Sequence, residues 1–264
     1  MKNFDSYDDY TKFENYIKRQ NRYYIDKNSS KFLEILLETS GKRTIILSKD
    51  KHLWRSQLGN SISPYYKKDK LLGELPSPLP PDRMKPLTNE AKEGRANPKG
   101  IPYLYLSTDK KTAMAEVRPW VGALISVGQF RLLKNLKIVD FSQDNESYFL
   151  ALIKSRQFTP EKIEKLVWSD INRAFSNPIN PNDRSADYAP TQIIAEVFKN
   201  NGFDGVAFKS SLGEGFNLGL FALDSAEQVN CYICRMEKVK YFFQNYGEPY
   251  SLKSKQNKAN KNSA

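Results

Sequence analysis

The stretch GRANPKGIPYLYLSTDKKTAMAEVRPW, from Gly94 to Trp120, carries a loop, a short strand and a helix in succession. Gly94, Pro98 and Gly100 punctuate the loop, because glycine allows sharp turns and proline fixes a backbone dihedral. Arg95 lies inside this punctuation, so its guanidinium is held in one direction. A fixed guanidinium is a planar fork of donors that matches phosphate or carboxylate. The stretch therefore predicts an anion-binding loop.

The segment IPYLYLS after the loop alternates in the manner of a β-strand. Successive side chains of a strand point to opposite faces, which places Tyr103 and Tyr105 on one face and Leu104 and Leu106 on the other. We expect the leucines to pack in the core and the tyrosines to line the space that the arginine faces.

A helix is predicted to begin near Asp109 and to end before Pro119. Ser107 or Thr108 is its expected N-cap, because hydroxyl groups satisfy free amides at helix starts. Glu116 stands among alanines in this helix. Small neighbours let a large group approach its carboxylate.

Together these residues supply an anion fork, aromatic surfaces and one isolated acid. The set suits an anionic, ring-bearing substrate whose reaction develops positive charge, as glycosidic bond cleavage does. Each residue also has a simpler interpretation: Arg95 and Glu116 as members of surface ion pairs, and Tyr105 as a core aromatic. Spacing alone leaves both open.

Composition limits the class of protein. The chain has 264 residues, 39% of them hydrophobic, with 15 tyrosines and 15 phenylalanines, which is enough for a globular core. It has no run of eighteen apolar residues and no apolar leader. We therefore expect a cytoplasmic protein with no membrane association.

The formal net charge of +11 raises the question of nucleic-acid binding. Four lysines fall in the final segment SLKSKQNKANKNSA, which contains no acidic residue. A solvated, disordered basic tail over residues 251–264 is favoured over a nucleic-acid arm. Nucleic acid is therefore not the main partner that we expect.

Metal and nucleophile chemistry find no support in the sequence. Cys231 and Cys234 form a single C-x-x-C pair, and His52 is the only histidine, so one chain cannot build a four-ligand zinc site. Two buried, reduced thiols are expected instead. The segment KSSLG lacks the glycine of a nucleophile elbow, and GEGFNLG departs from the dinucleotide fingerprint.

Helical and strand patterns interleave without regular β-α alternation, which predicts an α+β fold. Helices are expected over residues 8–22, 30–39, 160–175 and 191–202, and strands at RTIILS, ALISVGQF, LKIVDF, DGVAFKSS, LGLFAL and QVNCYICRM. The predicted organisation is a helical extension (1–42), a catalytic domain (43–250) with a proline-rich loop (61–90) and a helical insertion (142–187), and the basic tail.

The chain resembles the RES-domain family, which is named for an arginine, a glutamate and a serine. The resemblance lies in the stretch from Gly94 to Pro119 and in the segments LKIVDF and YAPTQIIAEVFKNNGFDGVAFKSSLGEGFNLGLF. The resemblance implies a fold like that of ADP-ribosyltransferases and an activity that consumes NAD+ as substrate, without a metal. It also implies an antitoxin or inhibitor protein as a partner, since members include bacterial toxins. A homo-oligomer is left open.

Matched position by position, the family's arginine falls on Arg95, its tyrosine on Tyr105, its glutamate on Glu116 and its serine on Ser210. Ser211 is the alternative register for the serine. The resemblance implies that these residues grip the pyrophosphate, stack on the nicotinamide or its ribose, stabilise the oxocarbenium and orient a ribose hydroxyl, respectively. Residues of lower rank in the nucleotide site are Arg55, Tyr103 and Asn217.

The leading hypothesis is an enzyme that cleaves the nicotinamide-ribose bond of NAD+ with water or phosphate as acceptor, in the role of a toxin or defence effector. An ADP-ribosyltransferase acting on protein or nucleic acid shares the same site. A basic nucleic-acid-binding module without catalysis is the hypothesis from another class.

Overall fold

The computed structural model describes residues 2–143, 158–177, 185–240, 242–243 and 247. Its strands are β1 Thr44–Leu47, β2 His52–Leu58, β3 Ser61–Lys67, β4 Lys70–Ser77, β5 Leu104–Ser107, β6 Leu124–Leu132, β7 Leu136–Asp140, β8 Gly205–Lys209, β9 Phe216–Leu220 and β10 Ala226–Arg235. Its helices are α1 Asp9–Arg19, α2 Lys27–Thr39, α3 Pro81–Met84, α4 Lys110–Glu116, α5 Pro160–Ser176 and α6 Ala189–Asn200.

Eight strands form one sheet in the order β1-β7-β8-β9-β5-β2-β6-β10. Among the strands of the described residues, β7 and β8 pair in parallel, and the other pairings in this sheet are antiparallel. A mostly antiparallel sheet with helices outside it confirms the predicted α+β class. None of the helices within the described ranges is both long and apolar enough to cross a bilayer.

One hydrophobic cluster joins α1, α2, α5 and α6 to the sheet. Phe13 of α1 stacks on Phe32 of α2 at 4.8 Å, and Trp168 of α5 stacks on Phe198 of α6 at 6.5 Å between ring centres. The Trp168 indole donates to Thr39 Oγ1 at 3.2 Å, so its polar atom is satisfied inside the core. The N-terminal helices therefore share a core with the rest of the chain.

A second cluster contains Leu104, Leu106, Leu53 and Phe130 among its buried residues. Tyr103 belongs instead to the first cluster. The alternation predicted for IPYLYLS is confirmed for both leucines. The two hydrophobic clusters therefore lie on opposite faces of β5.

The segment 61–90, predicted to be an irregular loop, is mostly ordered, and that prediction is wrong. β3 and β4 form a separate antiparallel hairpin, and α3 follows it. Pro64 and Pro76 are tolerated because both strands of this two-stranded sheet are edge strands. A strand edge that has no neighbour does not need the backbone N–H that proline lacks. Lys68 and Asp69 turn the chain with positive φ angles of 49° and 61°, as primed hairpin turns require.

The helix predicted within the insertion 142–187 is confirmed as α5. Thr159 caps it by accepting from the Lys162 amide, and Pro160 occupies its first turn, where the missing N–H costs nothing. The other parts of the insertion, residues 144–157 and 178–184, and the basic tail lie outside the described residues.

Candidate active site

A cavity of about 770 Å³ opens where β2, β5, α4 and the start of α6 meet. Its volume lies in the range of ligand pockets. Five of the predicted site residues line it: Arg55, Arg95, Tyr105, Glu116 and Asn217.

The loop that carries Arg95 is tied down by Asn97, which is buried. The Asn97 amide donates to the carbonyls of Lys92, Pro98 and Ile101 at 2.9 to 3.2 Å. One amide nitrogen, with two hydrogens to donate, thus lies within hydrogen-bond distance of three backbone carbonyls and holds the loop in one conformation.

Helix α6 holds the same loop from outside. Gln192 Nε2 donates to the carbonyls of Gly94 and Asn97 at 3.1 and 3.0 Å, on either side of Arg95. Gly94 is required here, because a Cβ would lie 2.8 Å from the Tyr105 hydroxyl.

The Arg95 guanidinium lies 5.9 Å from the centre of the Phe208 ring. Burial lowers the pKa of Arg95, and nearby Glu116 acts in the opposite direction. Among the described residues, no carboxylate lies within 4.0 Å of this guanidinium. A partly desolvated cation without an ion pair is suited to binding an anion in the cavity.

Glu116 is the last residue of α4. The predicted N-cap, Ser107 or Thr108, is wrong: Asp109 caps the helix by accepting from the Thr112 amide at 2.9 Å. A carboxylate also suits the positive end of the helix dipole. The hydroxyl of Thr108 instead accepts from the Phe216 amide at 3.0 Å.

The Glu116 carboxylate is held by two hydrogen bonds to one oxygen. Ser210 Oγ donates to Oε1 at 2.7 Å and Asn217 Nδ2 donates to it at 2.6 Å. Both bonds end on Oε1, and within the described part of the chain no hydrogen bond ends on Oε2 of this cavity-lining residue.

Ser210 lies behind Glu116, 4% exposed, while Ser211 is exposed. The geometry therefore favours the register that places the family serine at Ser210. Its Oγ accepts from the amides of Leu212 and Gly213, each at 3.1 Å. Those two donors direct the hydroxyl proton toward Glu116.

The glycine-rich loop after Ser210 packs tightly on the first turn of α4. The Gly215 amide donates to Thr112 Oγ1 at 3.0 Å, and a Cβ at Gly215 would lie 1.9 Å from Asp109 Oδ2. Only glycine permits this approach.

Tyr105 lines the cavity with its ring, but its hydroxyl is buried in the arginine loop. The hydroxyl donates to Asn97 Oδ1 at 2.8 Å and accepts from the Ala96 amide at 3.0 Å. Burial raises the pKa of Tyr105, so the phenol stays neutral. Its first structural role is to fasten the arginine loop to β5.

Tyr103 does not line the cavity, so its predicted place in the site is wrong. It is 1% exposed, and its ring packs on Phe221 with ring centres 5.0 Å apart. Burial raises the pKa of Tyr103 to about 12. Alternation alone could not distinguish a cavity tyrosine from a core tyrosine two residues away.

Arg55 lies on β2. Its Nη1 donates to the Tyr105 carbonyl at 3.0 Å, whereas its Nε is buried and has no hydrogen-bond partner among the described residues. Burial lowers the pKa of Arg55 to about 10, which leaves it cationic at neutral pH. Arg55 is thus a second arginine that lines the cavity.

Sequence reasoning missed Trp54, Tyr188 and Gln192. Trp54 and Tyr188 line the cavity, and Gln192 holds its arginine loop. Trp54 adjoins Arg55 in the segment KHLWRSQLG, and the other two lie in YAPTQ at the start of a matched block. Their adjacency to motif residues was the available signal.

The cysteines are free and half-buried, not buried as predicted. Burial raises the pKa of Cys231, which disfavours a reactive thiolate. Across the described ranges there is no group of three or more His, Cys, Asp or Glu side chains arranged to hold a metal ion.

The RES domain model matches residues 77–241, which is more than half of the chain. The chain therefore belongs to the RES-domain family. No curated protein matches it. A solved structure that resembles it comes from the crystal structure of the M. tuberculosis MbcT-MbcA toxin-antitoxin complex, with 12% identity and a TM-score of 0.39 over 76% of this chain and 92% of that one. That likeness is too distant to bear on function.

Proposed function

We propose that this protein is an enzyme that binds NAD+ in the cavity and cleaves the bond between nicotinamide and ribose. The observation that supports the proposal is the convergence of Arg95, Glu116 and Asn217, which are far apart in sequence, at one cavity, with Ser210 bonded to Glu116 from behind. Membership of the RES-domain family supplies the substrate class.

In this proposal Arg95 and Arg55 bind the two phosphates of the pyrophosphate. Both arginines line the cavity, and neither guanidinium has a carboxylate within 4.0 Å among the described residues. An anion would therefore replace the hydration that burial has removed.

Glu116 carries the chemical step. As nicotinamide leaves, the ribose develops oxocarbenium character, and a fixed carboxylate stabilises that charge. The free Oε2 can contact the ribose because the hydrogen bonds of Ser210 and Asn217 end on Oε1. No protonation of Glu116 is needed.

Tyr105 and Ser210 are proposed as positioning groups. The buried phenol of Tyr105 holds the arginine loop, and its ring remains available to contact the nicotinamide or its ribose. Ser210 is not proposed as a nucleophile, because its proton and lone pairs are engaged by Glu116 and two amides.

The test is the release of nicotinamide and ADP-ribose from NAD+ by purified protein. Glu116→Gln keeps the shape of the side chain but removes the charge, and we expect kcat to fall about 1,000-fold with an unchanged Tm. Glu74→Gln, on the exposed hairpin, is the matched control. Equal turnover by Glu116→Gln and the wild type would refute the proposal.

The acceptor is tested in the same reaction with labelled NAD+. Water yields ADP-ribose and inorganic phosphate yields its 1″-phosphate, which are the acceptors that we propose. Label retained on protein or nucleic acid would instead identify the transferase alternative. Salt-dependent nucleic-acid binding without any NAD+ cleavage would identify the binding module.

We further propose a cytoplasmic location, where NAD+ is available and free thiols persist, and a protein inhibitor as partner. Unrestrained cleavage would deplete NAD+, so expression of the wild type should be toxic and Glu116→Gln should not. Falling cellular NAD+ that precedes growth arrest is the expected measurement.

A further inference from the structure

Behind the Glu116 carboxylate lies a chain of side-chain hydrogen bonds that the family resemblance did not assign. Ser107 Oγ donates to Asn217 Oδ1 at 2.7 Å, and Asn217 Nδ2 donates to Glu116 Oε1 at 2.6 Å. Ser107 and Asn217 are 4% and 5% exposed. The pair is thus shielded from water that could replace either bond.

The sheet fixes this pair before any substrate binds. Ser107 on β5 and Asn217 on β9 are register partners, so their side chains lie on the same face. Ser107 also pairs with Trp54 of β2, which lines the cavity. The pair is therefore part of the rigid wall of the site.

The direction of the Asn217 amide follows from its two neighbours. A carboxylate accepts only, so the amide must turn its Nδ2 toward Glu116 and its Oδ1 toward Ser107. The Ser107 hydroxyl then has an acceptor for its proton, which holds the amide in that orientation. Without the Ser107 hydroxyl, Asn217 Oδ1 loses the donor that fixes the orientation of the amide.

We propose that Ser107 and Asn217 are positioning residues that fix Glu116 so that Oε2 faces the substrate. The proposal rests on the proposed NAD+ cleavage for its kinetic consequence, since Glu116 is the group that they position. The contact itself is independent of the reaction and can be tested without it.

Asn217→Asp is the decisive variant, because it replaces the donor with a second carboxylate at hydrogen-bond distance from Glu116. Two carboxylates this close share a proton, which raises one apparent pKa. The titratable groups that line the cavity around them are Arg55, Lys92, Arg95, Tyr105, Glu116 and Tyr188, and no other carboxylate is among them.

The kinetic test compares Asn217→Asp, Asn217→Ala and Ser107→Ala. We expect kcat to fall about 100-fold in both Asn217 variants and about 10-fold in Ser107→Ala, with a smaller change in KM. The residual activity of Asn217→Asp alone should rise with pH as the shared proton is lost. Matched controls are Asn230→Asp and Ser63→Ala, which are exposed and outside the cavity.

The second test measures Tm against pH and needs no activity. A carboxylate whose pKa is raised in the folded state binds more protons than in the unfolded chain, so stability falls as pH rises through that pKa. Asn217→Asp should therefore lose Tm relative to the wild type between about pH 4 and pH 7, and Asn230→Asp should not.

The outcomes separate the two proposals. A wild type without NAD+ cleavage refutes the proposed function, while the Tm profile of Asn217→Asp still tests the contact. Wild-type cleavage with unchanged kcat in both Asn217 variants, or parallel Tm profiles for Asn217→Asp and the wild type, would overturn the positioning role.

Discussion

The cavity wall and the β3–β4 hairpin are both built from short antiparallel strands, yet they differ in what surrounds them. In the wall, Ser107 and Asn217 are buried and hydrogen-bonded across the sheet. On the hairpin, large apolar side chains are about half exposed or more: Ile62, Tyr65, Tyr66, Leu71, Leu72 and Leu75. Polar side chains on a strand keep one hydrogen-bonded orientation only where a neighbouring layer of the protein excludes water.

The two regions meet at the end of β2, whose Gln57 and Leu58 line the cavity just before the hairpin begins. Ser126 anchors the base by donating to the Gly59 carbonyl at 2.8 Å and accepting from the Leu79 amide at 2.9 Å. The family model begins at residue 77, so β2 and all of the hairpin except Ser77 precede the match. The cavity wall therefore combines β5, α4 and β9 from the matched region with β2 from outside it.

The largest structural effect is expected at Gly215. A methyl group there would displace Asp109 from its capping position, because the added Cβ would lie 1.9 Å from Oδ2. Loss of the cap and overpacking should together lower the free energy of unfolding by about 2–3 kcal/mol. Urea denaturation of Gly215→Ala measures this, with Gly41→Ala as the comparison, because a Cβ at Gly41 would meet no atom within 4 Å and its φ is not positive. A loss below 0.5 kcal/mol would show that the wall is more deformable than its contacts indicate.

An intermediate effect is expected at Gln192, which touches the arginine loop and not the carboxylate. Gln192→Ala removes two hydrogen bonds to the loop backbone, so the loop should lose its fixed conformation. We expect NAD+ affinity to fall about 10-fold, the equivalent of about 1.4 kcal/mol, with less change in kcat. Isothermal titration on the Glu116→Gln background checks this without turnover. Unaltered affinity would mean that Asn97 and Tyr105 suffice.

The smallest effect is expected on the hairpin. Tyr66→Ser, Leu71→Ser and Leu72→Ser each replace an exposed apolar side chain, so each should change the free energy of unfolding by less than about 0.5 kcal/mol. NAD+ cleavage should be unchanged. A loss of activity with intact folding would show that the hairpin contributes to cleavage at the cavity, and the two regions would then not differ in function.

Local patterns were sufficient for much of the fold. Period-2 alternation placed Leu104 and Leu106 in the core, and helical periodicity located α5 and α6. The prediction of an irregular loop over 61–90 was wrong because proline excludes a residue from a central strand but is tolerated on a strand with a free edge. The predicted N-cap of α4 was wrong because Ser107, Thr108 and Asp109 can all cap a helix, and tertiary contacts decide among them.

For the candidate site, motif order was enough to name Arg95, Glu116 and Ser210, although their catalytic roles stay predictions. It could not name Gln192, because a glutamine on an amphipathic helix carries no local sign of its partner. It placed Tyr103 beside Tyr105 in the site, because a strand pattern assigns residues to a face and not to a depth.

The sequence by itself determined the class of most elements and the α+β fold, and it predicted which residues have the chemistry to bind an anionic substrate, because these depend on side-chain type and short spacing. Only the tertiary structure decided that Ser210 and Asn217 share one oxygen of Glu116, and that Tyr105 holds a loop with its hydroxyl. The two contacts to Glu116 join residues about 100 positions apart. They arise from strand register and helix packing, which local patterns do not encode.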